Sequence, residues 1–67
     1  MDTTIERAAE GGYRYAAVER KDKTVALQVR WLDNGVWFTV TRMTSEDWRM
    51  AQDAGISLVH LMQIALD

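Results

Sequence analysis

His60 is the single histidine of a 67-residue chain without cysteine, so carboxylates would have to complete any metal site it joined. On a helix, Gln63 and Asp67 share its face, but an amide is a poor ligand and one carboxylate does not complete a shell. No metal and no cofactor are expected. The serines and threonines have no base at a recognisable spacing, no G-x-S-x-G elbow is present, and no glycine-rich loop opens a helix. The acids Glu46 and Asp47 are adjacent, so on a helix they point about 100° apart, and their first-turn position already has an electrostatic reason. No catalytic residue emerges, and the chain is expected not to be an enzyme.

What remains is recognition chemistry. Trp31, Trp37 and Trp48 are three indoles in 67 residues. Trp and Arg are the usual energetic anchors of an interface. Trp37 is the one expected outside the core, with Arg30, Leu32, Tyr15 and Gln28 as its partner-binding companions, whereas Trp31 and Trp48 are expected inside.

These side chains are positioned by elements that periodicity predicts. Asp2, Thr3 and Thr4 offer cap oxygens, and Ile5, Ala8 and Ala9 share one helical face, which predicts a short N-terminal helix hinged at Gly11-Gly12. From Tyr13 the period is two: residues 13–20, 24–32 and 36–43 predict three strands. Asp33-Asn34-Gly35 predicts a two-residue type I′ hairpin turn, because Asn-Gly tolerates positive φ at both central positions. That turn pairs Trp31 with Phe38, Val29 with Val40 and Leu27 with Arg42, and sets Val25, Leu27, Val29, Trp31, Phe38 and Val40 on one face. Lys21-Asp22-Lys23 does not fix a turn type. A three-residue loop buries Tyr13, Tyr15 and Ala17; a two- or four-residue loop puts both tyrosines outside with Trp37.

After Met43 the period is 3.6. Thr44 to Asp47 supply a cap and first-turn acids, Gly55 suits a C′ position, and a helix is expected from about Ser45 to Ala54, with Trp48, Met50, Ala51 and Ala54 on its apolar arc. Ser57 caps a last helix whose polar stripe is only His60, Gln63 and Asp67. One neighbouring surface cannot bury the rest of that circumference, so Val59, Met62, Ile64 and Leu66 are expected to meet a partner or a second copy in a homodimer.

The stretch FTVTRMTSEDWRMAQDAGISLVHLMQIAL, Phe38 to Leu66, resembles the ribbon-helix-helix pattern in its alternating strand, capped helix, Gly-apolar-Ser turn and second helix. The resemblance implies an intertwined dimer whose paired strands enter the DNA major groove, and it supplies the alternative reading, a dimeric DNA-binding regulator. Charge argues the other way. Residues 1–32 hold six basic and five acidic groups, and residues 33–67 hold two basic and five acidic, so the C-terminal half opposes a phosphate backbone.

Composition sets the frame. At 48% hydrophobic and 27% charged the chain is expected to fold, and 67 residues make one domain, residues 1–67. The lack of cysteine suits a reducing, cytoplasmic setting, and no apolar run approaches the ~18 residues of a membrane span. The expected fold is α+β: a three-stranded antiparallel meander, two C-terminal helices on one face, and the short N-terminal helix. The expected function is protein binding, as a small inhibitor or adaptor that occludes a larger protein. A phage or mobile-element protein blocking a host defence complex fits that description, and nucleic acid is not an expected partner.

Overall fold

The computed structural model describes residues 2–31 and 35–67, so Leu32 and the Asp33-Asn34 part of the expected turn lie outside the described residues. Among these, β1 (Thr3–Glu10), β2 (Tyr13–Glu19), β3 (Thr24–Trp31) and β4 (Phe38–Thr44) form one antiparallel sheet in the order β1-β2-β3-β4, followed by α1 (Ser45–Asp53) and α2 (Leu58–Leu66). The α+β class and the two C-terminal helices agree with expectation. The N-terminal helix does not exist. Residues 3–10 form a fourth strand, because Gly11-Gly12 is a two-residue hairpin turn and not a hinge: Gly11 has φ +59°, and Glu10 pairs with Tyr13 across it. Two helical turns would be marginal in water, whereas a strand gains a full ladder against β2.

The Lys21-Asp22-Lys23 loop resolves the tyrosine ambiguity. Tyr13 pairs with Trp31, Tyr15 with Val29 and Ala17 with Leu27, the register of a three-residue loop. Asp22 accepts from the Thr24 amide at 3.2 Å and from its hydroxyl at 2.6 Å, and the latter bond holds the Asp22 carboxyl below its ordinary pKa. Lys23 takes φ +67°, a left-handed conformation that costs a side-chain-bearing residue about 1–2 kcal/mol. Lys23→Gly is therefore expected to raise stability by about 0.5–1 kcal/mol after glycine's own entropy cost. Urea unfolding checks this, and a lower midpoint for the variant would contradict it.

The core lies between the helices and one sheet face: Tyr15, Ala17, Val25, Leu27 and Val29 meet Trp48 of α1 and Leu58 and Met62 of α2. Thr44 caps α1 by accepting from the Asp47 amide, Ser57 caps α2 by accepting from the His60 amide, and Gly55 is left-handed at φ +79°. Met50 and Ala54, expected on the buried arc of α1, are exposed.

The β3–β4 register differs from the two-residue-turn expectation. Val29 pairs with Phe38 and Leu27 with Thr41, and a bulge at Val40 moves Arg42 opposite Ala26. The physical reason is burial. Arg42 opposite Leu27 would bring a guanidinium into the core, whereas the bulge turns Val40 and Met43 inward together and leaves Arg42 on the other face. The strand that the ribbon-helix-helix resemblance would pair across a dimer is here paired with β3 of the same chain.

Tyr15 carries a pH consequence. Burial, and then the nearby Glu10 carboxylate, raise its phenol above the ordinary value of 10.0. The folded state thus favours the neutral phenol, and this contribution is intact below pH 10 and lost as pH rises through the raised value. Thermal melts are expected to show an alkaline decline that Tyr15→Phe reduces; an unchanged decline in the variant would refute the assignment.

Candidate functional site

Trp31 was expected in the core and is 45% exposed, and Phe38, its companion, is 49% exposed. Element length explains the correction. A nine-residue helix is about 13 Å long, whereas an eight-residue strand runs about 26 Å, so α1 and α2 cannot cover the whole sheet face, and at the end next to Gly11-Gly12 α2 meets the sheet at its β1 edge, through Gln63 and Glu10. There Tyr13, Trp31 and Phe38 form a row across β2, β3 and β4, with ring centroids 5.6 Å apart for Tyr13–Trp31 and 6.4 Å for Trp31–Phe38. Tilted and edge-on contacts at these distances hold the rings against one another. Sequence reasoning missed this row because it assumed that a residue on the core face is also in the core.

On the opposite face of the same end, the Arg30 guanidinium carbon lies 4.9 Å from the Trp37 ring centroid, a cation–π contact, and Trp37 stays 36% exposed. Gln28 Nε2 donates to Thr39 Oγ1 at 3.4 Å one row further along. Trp37 and Arg30 are in contact, and Gln28 shares the sheet face of Arg30. Tyr15 is not with them: it is 3% exposed and belongs to the helix-covered core. Leu32 falls outside the described residues. No N-terminal helix roofs Trp37, because residues 3–10 run along β2, at the far edge of the sheet from β4.

The residues expected to give α2 a partner face are divided. Met62 is fully buried inside the monomer and Val59 packs against the core, so neither is free to meet a second chain, whereas Ile64 and Leu66 are exposed. The stripe of α2 facing β1 is fixed by Gln63, whose Nε2 donates to both Glu10 carboxylate oxygens at 2.9 and 3.1 Å.

No family model, curated protein or solved structure matches the chain. Function has to be derived from the surface itself. Among the described residues no group of His, Cys, Asp and Glu is placed to hold a metal ion, and His60 is solvent-exposed. Among the described residues no helix is long and apolar enough to cross a membrane.

In the sheet, charge is also sorted by face. Arg7, Arg14, Arg30 and Arg42 all stand on the helix-free face, since they pair with or beside Ala16, Ala9 and Ala26 and across from the core positions. Among the described residues no acid occupies a strand position of that face. Glu6, Glu10 and Glu19 lie at the pleat positions of the other face, the side that also carries α1 with Glu46, Asp47 and Asp53.

Proposed function

We propose that this chain is a non-enzymatic protein-binding module, an inhibitor or adaptor that inserts the aromatic end of its sheet into a cleft of a larger cytoplasmic protein. The observation that supports it is the exposure of aromatic rings on both faces of one sheet end, Tyr13, Trp31 and Phe38 on one side and Trp37 on the other. Rings already packed on one another lose little conformational entropy on docking, and Trp, Tyr and Arg are the residues that dominate interface energies. Ile64 and Leu66 are what α2 can still offer a second copy.

The test is affinity capture of a partner from host lysate followed by reconstitution with that partner purified. Trp31→Ala and Trp37→Ala should each release it, and Met50→Ala, an exposed apolar change on α1, should not. Retention by both tryptophan variants would overturn the reading.

A further inference from the structure

We infer that the helix-free sheet face is a binding site for single-stranded nucleic acid, separate from the row formed by Tyr13, Trp31 and Phe38. Four of the chain's eight basic residues stand on it, and Arg7, Arg14 and Arg42 are exposed. Among the described residues none of these four arginines has a carboxylate partner; the ion pair present joins Arg20 and Asp2, at 3.9 Å. Arg14 lies directly opposite Arg30, and like charges so placed destabilise a sheet. Arg30 Nε is buried and has no hydrogen-bond partner among the described residues. Repulsion of this kind is relieved when a polyanion sits across the pair.

The long polar side chains of this face close over small residues at its centre. Ala16 and Ala26 are buried there without belonging to the helix-side core, so the long side chains of Arg7, Gln28, Arg30 and Arg42 rise around small residues. Trp37 supplies a ring on which a base can stack, with Arg30 already layered on it, and Gln28 and Thr39 offer donors and acceptors to base edges. The ring favours a single strand over the other polyanions. A duplex keeps its base faces stacked internally, and an acidic peptide would neutralise the arginines but leave the indole unused. The net charge of −2 does not oppose this, because the acids lie mainly on the helix side.

The experiment is fluorescence anisotropy of a labelled oligouridine of roughly 12 nucleotides at low salt, with an equal-length duplex and a polyglutamate peptide as competitors. The single strand is expected to bind, with a log–log salt slope that drops by about 0.7 for each of Arg7→Gln and Arg42→Gln. Trp37→Leu should weaken binding about five- to 100-fold, in line with the loss of one stacked base. Trp31→Ala, on the other face, should bind the oligonucleotide as the parent does. No binding at low salt by folded protein overturns the inference, as does equal competition by polyglutamate or by duplex. Unchanged salt slopes in both arginine variants, or equal weakening by Trp31→Ala, would also end it. Trp31→Ala tells the two apart, since it should release the partner protein and leave oligonucleotide binding unchanged.

Discussion

Met62→Ala is expected to cost about 2–5 kcal/mol of folding stability, the usual penalty for emptying a fully buried methionine site. For 67 residues the total stability is of the order of 3–10 kcal/mol, so this single change removes about a fifth of it or more. Met62 belongs to the core cluster that joins α2 to Tyr15 and Val29 of the sheet. Ile64→Ala, two positions along on the exposed side, is expected to stay within about 0.5 kcal/mol. Urea unfolding followed by circular dichroism separates the two. The cost at Met62 should not depend on protein concentration, because its contacts lie within one chain; a concentration-dependent midpoint would return α2 to a dimer interface.

Trp31→Ala is expected to have the second largest effect, on affinity. Loss of a central aromatic anchor from a docked interface costs about 2 kcal/mol or more, roughly a 30-fold weakening. Its stability cost is smaller, about 1–2 kcal/mol, since the ring is 45% exposed and its partners are Tyr13 and Phe38. Isothermal titration against the purified partner, beside a melt of the free variant, resolves the two quantities. A variant that binds as tightly as the parent would show that the aromatic row is not the anchor.

The helices were legible in the sequence because their ends are marked by local chemistry: Thr44 and Ser57 cap, and Gly55 terminates, whatever the rest of the chain does. The inward set Val25, Leu27 and Val29 was legible for a similar reason, since a period of two fixes which side chains share a face. The N-terminal strand was not. Its residues Ile5, Ala8 and Ala9 fit a helical wheel, and only pairing with β2, an interaction across a turn, makes the extended form win. Neither was the bulge at Val40, which answers a nonlocal demand to keep Arg42 out of the core. At the candidate site, Trp37 and Arg30 were found from parity alone. The Tyr13–Trp31–Phe38 row was missed because its exposure depends on how far two short helices reach along a longer sheet.

In the described sheet each strand hydrogen-bonds only to neighbours in sequence, so β1 to β4 can assemble as successive hairpins with short closures. Loop-closure entropy grows only slowly with separation, but the last closure is by far the widest: the link between Gln63 and Glu10 spans 53 residues. The meander can therefore form ahead of its lid, and while α2 is undocked the inward face of β2 and β3 stands open to solvent. The hydrogen bonds from Gln63 to Glu10 tie the last helix to the first strand, so elements from the two ends of the sequence meet at one sheet edge.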